Sequence, residues 1–144
     1  MPGFELNEWI ALSPKEVFDF VTDPNNAPKV VSSVRSTVKL TDGPTGKGTR
    51  YRETRLMNGK EQAAELEVAA FQPNEQYAVR NELQGFETTY TYHFAPENHG
   101  TRIKLVCEVK AGGLKKLMAP MVVSILKKED GDHLQRLKSA MQEN

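Results

Sequence analysis

The feature that most constrains this chain is a long stretch of two-residue periodicity followed by one stretch of helical periodicity. Across residues 34–112, apolar and polar residues alternate in short segments that end at turn signals, and no helical spacing interrupts them. Beyond this stretch, apolar residues recur at steps of three and four, at Leu114, Leu117, Met118, Met121, Val122 and Ile125. This order predicts a sheet with one long C-terminal helix available to cover it.

Seven segments of the chain have the character of strands. They are residues 4–12, 34–40, 49–57, 61–71, 77–83, 86–94 and 103–109. The connections among the last six are short, and Asn58-Gly59 is a strong hairpin signal. Consecutive strands joined in this way predict an antiparallel meander.

Two short helices are predicted between the first two strands. Ser13 and Glu16 form a capping box, and Pro14 suits the first position of a helix. Asp23 ends this helix because a proline follows it, and it can also cap a second short turn.

The predicted fold class is α+β, with one domain that covers residues 1–144. One helix is about 10 Å wide and cannot cover seven flat strands. We therefore expect a curved, seven-stranded antiparallel sheet wrapped around the long C-terminal helix, with the two short helices closing one end.

Composition argues against several classes of function, although a local basic patch remains possible. Lys plus Arg and Asp plus Glu both number 19, so the zero net charge gives no broad field for nucleic acid or an anionic membrane. The N-terminus lacks the basic start and apolar core of a signal peptide, and no apolar run approaches the length of a membrane span. With a single cysteine, a reducing compartment is expected. We predict a cytoplasmic protein with no nucleic-acid partner and no stable membrane insertion, and of unknown oligomeric state.

Motifs for catalysis or cofactor binding are sparse. The three histidines lack metal-ligand spacing, and the glycines of TGKGT match neither phosphate-binding nor dinucleotide-binding patterns. No GxSxG motif is present. No cofactor, metal or catalytic residue is predicted.

The chain resembles the START-like helix-grip (SRPBCC) superfamily, which includes START lipid-transfer domains, birch-pollen-allergen-like proteins and polyketide cyclases. The matching stretches are IALSPKEVFDFVTDPNNAPKV, PTGKGTRYRE, EVAAFQPNEQY, GTRIKL and DHLQRLKSAM. The resemblance implies a helix-grip fold with a cavity between sheet and helix for a hydrophobic or amphipathic small molecule, lipid-like or polyketide-like.

Eleven residues are candidates for contact with such a ligand: Glu8, Tyr51, Asn81, Tyr90, Tyr92, Cys107, Met118, Met121, Val122, Ile125 and Glu129. Tyr90 and Tyr92 fall on one face of a strand, and we expect them to share an internal space with Met118, Met121 and Ile125. The alternatives are a packed sheet face for the tyrosines and a buried apolar role for Cys107. Glu8 shares its strand face with apolar residues, so it is either a cavity carboxylate or a rim residue.

The end of the helix presents a conflict. Counting 100° per residue places Glu129 and Asp132 within the apolar arc, with Gly131 between them. Burying two unpaired carboxylates is costly, so a bend or a shift of the buried face is predicted there, with Glu129 at the cavity mouth. The lysines at 115, 116, 127 and 128 are interpreted as a solvated face, with contact to anionic lipid headgroups as the alternative.

Three functions remain open from the sequence. We favour a binding protein for an apolar or amphipathic small molecule. The alternatives are an enzyme of the polyketide cyclase or dehydrase type, and a protein-interaction module resembling activators of the Hsp90 ATPase. An interaction module should have a small or collapsed cavity and an exposed apolar patch.

Overall fold

The computed structural model describes residues 2–142, apart from the side chain of Met57, and contains one seven-stranded antiparallel sheet. Its strands are β1 (Gly3–Ile10), β2 (Val34–Lys39), β3 (Arg50–Met57), β4 (Lys60–Gln72), β5 (Gln76–Leu83), β6 (Phe86–Glu97) and β7 (Gly100–Ala111). The seven predicted strands are confirmed, and the described chain has no helix between β2 and β7.

The strand order is β1-β7-β6-β5-β4-β3-β2, so β1 and β2 form the two opposite edges of the sheet. The chain must therefore cross the whole width of the sheet between its first two strands. Neighbouring strands lie about 4.8 Å apart, which makes this crossing nearly 30 Å at the level of the strands. The two short helices make the crossing, and they close one end of the curved sheet as predicted.

Local capping sets the bounds of these helices, α1 (Pro14–Thr22) and α2 (Ala27–Val30), which a 3₁₀ turn (Pro24–Asn26) separates. The Ser13 hydroxyl accepts a hydrogen bond from the Glu16 backbone N–H at 3.2 Å, which confirms the capping box. The Asp23 carboxylate caps the following turn by accepting from the Asn25 N–H at 3.0 Å.

Aromatic rings hold α1 against the sheet. Phe18 is almost fully buried, and its ring packs edge-on against Phe71 of β4 and Phe94 of β6, each with centroids 5.3 Å apart. The closed end of the sheet is therefore a solid core.

The predicted C-terminal helix is present as a 3₁₀ segment (Gly113–Met118) followed by α3 (Ala119–Asp130) and α4 (His133–Gln142). The predicted apolar arc of this helix is wrong for five of its six residues, and Val122 is the member that is half-buried as predicted. Leu114 and Leu117 are 84% and 81% exposed, and Met118, Met121 and Ile125 also face solvent. The buried or half-buried stripe instead consists of Ala119, Val122, Val123, Leu126, Asp130, Leu134 and Leu137.

The error has a physical cause at the start of α3. Pro120 lies in the first turn of α3, where proline is favoured, and it marks a helix start near residue 119. The preceding segment winds with three residues per turn, so a count of 100° per residue from Leu114 loses its phase before α3 begins.

The sequence predicts a bend or a shift of the buried face near Glu129 to Asp132, and the helix is interrupted there, between α3 and α4 at Gly131 and Asp132. The predicted shift of the buried face is not needed, because Asp130 rather than Glu129 occupies the buried stripe. Glu129 and Asp132 are both exposed, and the Asp132 carboxylate accepts a hydrogen bond from Arg136 Nε at 2.7 Å.

Gly131→Ala should lower the free energy of unfolding, although alanine ordinarily favours helix. A Cβ atom at Gly131 would lie 2.4 Å from the Lys127 carbonyl oxygen, so backbone atoms must move, at a cost of about 1–3 kcal/mol. Urea unfolding measures the change. Gly46→Ala is the matched control, because a Cβ atom there meets nothing within 4 Å. Equal stability of Gly131→Ala and wild type would contradict this account of the break.

Candidate functional site: a cavity beside the C-terminal helices

The C-terminal helices cover only one side of the curved sheet. Contacts of α3 fall on β7 and β1, and α4 lies against β1 and α2. A helix about 10 Å wide spans about two strands at 4.8 Å spacing, which leaves the concave face of the remaining strands uncovered. A cavity of about 630 Å³ occupies that space.

Most of the cavity wall is apolar. The sheet, the short helices and the C-terminal helices all contribute, through Val30, Val31, Leu66, Val79, Leu126 and Leu137 among others. The volume lies within the range of pockets that hold drug-sized molecules. An apolar molecule of that size would gain from leaving water for this cavity.

Two hydrogen-bonded pairs join the wall of β6 to the C-terminal helices. The Tyr90 hydroxyl donates to Asp130 Oδ2 at 2.6 Å, and the Tyr92 hydroxyl lies 2.9 Å from His133 Nε2. The tyrosines are two residues apart on a strand and therefore share a face, while Asp130 and His133 are one turn apart across the helix break. All four side chains line the cavity.

A second polar group comes from β3, where Tyr51, Glu53 and Arg55 alternate onto the cavity face. Arg55 Nε donates to Glu53 Oε1 at 2.6 Å, and Glu53 is 9% exposed. The Tyr51 hydroxyl is 2.8 Å from the Thr45 hydroxyl. Sequence reasoning missed Glu53 and Arg55, although both share the strand parity of Tyr51.

Among the described residues, one fully buried side-chain polar atom lacks a hydrogen-bond partner, and it belongs to a residue that lines the cavity. Thr37 Oγ1 is buried, and Thr37 lines the cavity from β2. Buried hydroxyls usually have a partner, so this atom is free to pair with a polar atom of a bound molecule or with water.

Burial controls the protonation of the cavity side chains. Burial, followed by the nearby Asp130 carboxylate, raises the pKa of Tyr90 far above its ordinary value of 10, and burial has the same effect on the pKa of Tyr92. Both phenols therefore keep their protons at neutral pH. Burial lowers the pKa of the His133 imidazole to about 4, so this ring is neutral at pH 7.

Four of the eleven predicted ligand residues line the cavity, namely Tyr51, Asn81, Tyr90 and Tyr92. The expectation that Met118, Met121 and Ile125 share the space of the two tyrosines is wrong, because these three side chains face solvent. Leu126, Asp130, His133 and Leu137 take their place on the helix side, which follows from the shifted phase of α3. Whether any of the eleven binds a ligand stays a prediction.

The other four predicted residues lie outside the main cavity. Cys107 is fully buried in a small core with Ala119, against which Val122 packs, and burial raises the pKa of its thiol to about 11. Glu8 shares the inward face of β1 as expected, but its carboxylate accepts a hydrogen bond from Lys138 Nζ at 3.3 Å. Glu129 borders a separate cavity of about 230 Å³.

The part of the chain that the structure describes lacks two other kinds of functional feature. No group of three His, Cys, Asp or Glu side chains is placed to hold a metal ion. None of the described helices has the length and apolar content to cross a membrane.

The fold and the cavity define a helix-grip protein, and comparison with known structures agrees. Ara h 8.0201 superimposes with a TM-score of 0.80 at 18% identity, over 99% of this chain and 98% of that chain. TTHA0849 from Thermus thermophilus gives a TM-score of 0.75 at 18% identity, over 99% and 98%. At these identities the likeness shows the fold alone.

A third similar structure is the di-domain ARO/CYC BexL from the BE-7585A biosynthetic pathway. It gives a TM-score of 0.82 at 16% identity over 99% of this chain, but this chain spans only 47% of that one. Among curated proteins, none matches this chain in sequence. A family model described as polyketide cyclase / dehydrase and lipid transport matches residues 1–142, and the chain belongs to that family.

The neutral His133 should make stability depend on pH in a defined window. Its pKa is lowered from 6.5 to about 4 on folding, so the unfolded chain takes up a proton first as the pH falls. Stability from this group is complete above pH 6.5 and is lost as the pH falls towards 4, by roughly 3 kcal/mol in total. Urea unfolding at pH 7 and pH 4.5 measures this loss.

His133→Asn removes the titrating group, so this variant should lose about 2 kcal/mol less than wild type between the two pH values. His93→Asn is the matched control, since His93 is exposed on the outer face of β6. Equal losses in wild type and His133→Asn would mean that His133 is not held neutral by burial.

Proposed function

We propose that this protein binds an apolar or amphipathic small molecule in the cavity between the sheet and the C-terminal helices. The observation that carries the proposal is a space of about 630 Å³ with apolar walls and several polar groups facing it. Pockets of that description bind small molecules by burying apolar area, while a few polar atoms fix orientation. The lipid-transport and cyclase activities in the family description support the same kind of ligand.

The charges in the cavity narrow the class of ligand. Three acidic residues line the cavity, Asp23, Glu53 and Asp130, against the single positive charge of Arg55, which Glu53 already pairs. A carboxylate ligand would bring a further negative charge into a site of low dielectric, where repulsion is strong. The Tyr90 and Tyr92 phenols and the unpartnered Thr37 hydroxyl favour neutral oxygen groups. We therefore propose a neutral ligand with hydroxyl or carbonyl groups.

A bulky residue in the cavity should abolish binding without harming the fold. Ala64 lines the cavity from β4, and Ala64→Trp would fill part of the space. We expect fluorescence titration with the neutral probe N-phenyl-1-naphthylamine to show at least a tenfold rise in Kd. Met121→Trp is the matched control, because Met121 is 52% exposed outside the cavity and its replacement should leave the Kd unchanged.

Circular dichroism and urea unfolding check that both tryptophan variants remain folded. Equal probe affinity in the folded Ala64→Trp variant and wild type would place binding elsewhere and refute the cavity proposal. Failure of the wild-type protein to bind any neutral apolar probe would do the same.

The charge argument predicts a preference between two ligands of equal chain length. At pH 8, 1-dodecanol should displace the probe at a lower concentration than dodecanoate, because only dodecanoate adds a negative charge. Glu53→Gln removes one cavity charge and should strengthen dodecanoate binding by about fivefold or more, with little change for dodecanol. Glu75→Gln, at an exposed turn position, is the control. Tighter binding of dodecanoate than dodecanol by wild type would contradict the proposed ligand class.

A cyclase or dehydrase is the second candidate, and the Tyr92–His133 pair is the observation that favours it. A neutral imidazole in a cavity can accept a proton from a ketide, and a phenol can hydrogen-bond the developing oxyanion. However, a general base works best with a pKa near the working pH, whereas burial lowers the pKa of His133 to about 4. This weak basicity favours binding over proton abstraction as the role of the cavity.

The third candidate, a protein-interaction module, is less well supported. That function was expected to accompany a small or collapsed cavity, whereas this cavity is open and large enough for a ligand. The expected exposed apolar patch does exist, on the C-terminal segment.

A further inference from the structure

Exposed apolar side chains concentrate on one segment of the described chain. Eight large hydrophobic residues are exposed, and five of them lie within residues 114–125, namely Leu114, Leu117, Met118, Met121 and Ile125. Isolated exposed apolar residues are normal, but a cluster on a monomer indicates a surface that binds something. These five residues are called the apolar patch below.

The same segment carries a local positive charge that the zero net charge of the chain conceals. Residues 112–128 contain four lysines, Lys115, Lys116, Lys127 and Lys128, and no acidic residue. On α3, Lys128 follows Ile125 by three residues and Met121 by seven, so it lies on the same helix face as the patch. Acidic neighbours do occur: Glu129 follows on α3, and Glu82 and Glu87 of the β5–β6 hairpin border a cavity with Lys116. Two further acidic residues follow Lys128 in the sequence, and each interacts with a residue outside the patch. Asp130 accepts a hydrogen bond from Tyr90, and Asp132 accepts one from Arg136.

The patch adjoins the ligand cavity. The Lys115 ammonium donates a hydrogen bond to the Gln84 carbonyl oxygen, which joins the 3₁₀ segment to the β5–β6 hairpin. Gln84 and its neighbour Leu83 both line the cavity, and Leu83 is itself 55% exposed. Leu126 of α3, the residue after Ile125 of the patch, also lines the cavity.

The shape and charge of the patch select its partner. Side chains as exposed as Leu114 and Leu117 project into solvent and cannot lie in a groove, so a rigid partner would need a matching hollow. A second copy of the chain in a symmetric contact would bring four lysines against four lysines, which costs affinity. A fluid surface that is apolar inside and negatively charged outside fits both properties.

We infer that the apolar patch and its four lysines dock on the surface of an anionic lipid bilayer. Projecting leucines and methionines enter the boundary between headgroups and acyl chains, while lysines at the rim contact lipid phosphates. The docking stands on the exposed residues alone and needs no ligand in the cavity. Combined with the proposed function, it places the cavity wall formed by Leu83 and Gln84 beside the apolar layer in which an amphipathic ligand dissolves.

The test is co-sedimentation of the full chain with vesicles of phosphatidylcholine, with or without phosphatidylglycerol, at low and high salt. Wild type should pellet with the anionic vesicles at low salt, and less so at high salt or with phosphatidylcholine alone. The Leu114→Gln/Leu117→Gln variant should lower the partition coefficient by about tenfold or more, since two exposed leucines no longer enter the bilayer. Lys128→Glu should lower it by about fivefold or more.

Each variant has a matched control elsewhere on the surface. Val38→Gln/Leu40→Gln replaces two other exposed apolar residues, which lie near the edge strand β2, and Lys47→Glu makes the same charge change in the β2–β3 loop. Both controls should sediment like wild type. Light scattering with size-exclusion chromatography reports the mass of each protein, which should be that of a monomer in wild type and variants alike.

Three outcomes would overturn the docking proposal. They are no binding of wild type to anionic vesicles at low salt, equal binding by the patch variants and wild type, and a dimer that the leucine substitutions dissociate. The ligand proposal is tested independently of the docking proposal, because the probe titration contains no lipid. Ala64→Trp should lose the probe and still bind vesicles.

Discussion

The structure depends on a mismatch of width between one helix and a seven-stranded sheet. A helix covers about two strands, and α3 and α4 lie over the two strands at one edge, β1 and β7. The remaining concave face must be filled by other side chains or left open. The aromatic cluster around Phe18 fills the closed end, and the described side chains leave the cavity in the middle. The cavity is therefore a consequence of how few helical residues the chain devotes to a wide sheet.

The elements that could be predicted are those with local signals in the sequence. Alternation identified the strands, and Ser13, Glu16 and Asp23 fixed the ends of the short helices because capping depends on residues close in the chain. The phase of the C-terminal helix failed, since counting began at Leu114, in a segment with 3₁₀ geometry. Pro120 was the available signal for the true start. Because the count of 100° per residue started at the wrong residue, it placed Met121 and Ile125 on the buried face of the helix instead of Leu126 and Asp130.

The site shows the same division between local and tertiary information. Tyr51, Asn81, Tyr90 and Tyr92 were placed correctly on the cavity wall, because strand parity fixes the face of every second residue. The same parity places Glu53 and Arg55 on the cavity face. Charged residues are not usually predicted to face inward unless a partner of opposite charge is known, and here each of the two is the partner of the other. The hydrogen bond between Tyr90 and Asp130 spans forty residues of sequence. It depends on how the helix packs against the sheet, which no local sequence pattern reveals.

The hydroxyls of Tyr90 and Tyr92 serve two purposes at once. They line the cavity, and they also form hydrogen bonds with Asp130 and His133, which lie on either side of the break between α3 and α4. A ligand that hydrogen-bonds to either phenol therefore competes with the hydrogen bond between that phenol and the C-terminal helices. Under the proposed function, binding of a ligand in the cavity and packing of α4 are therefore thermodynamically linked. By reciprocity, a change that weakens or strengthens the packing of α4 alters the affinity for the ligand to the same degree.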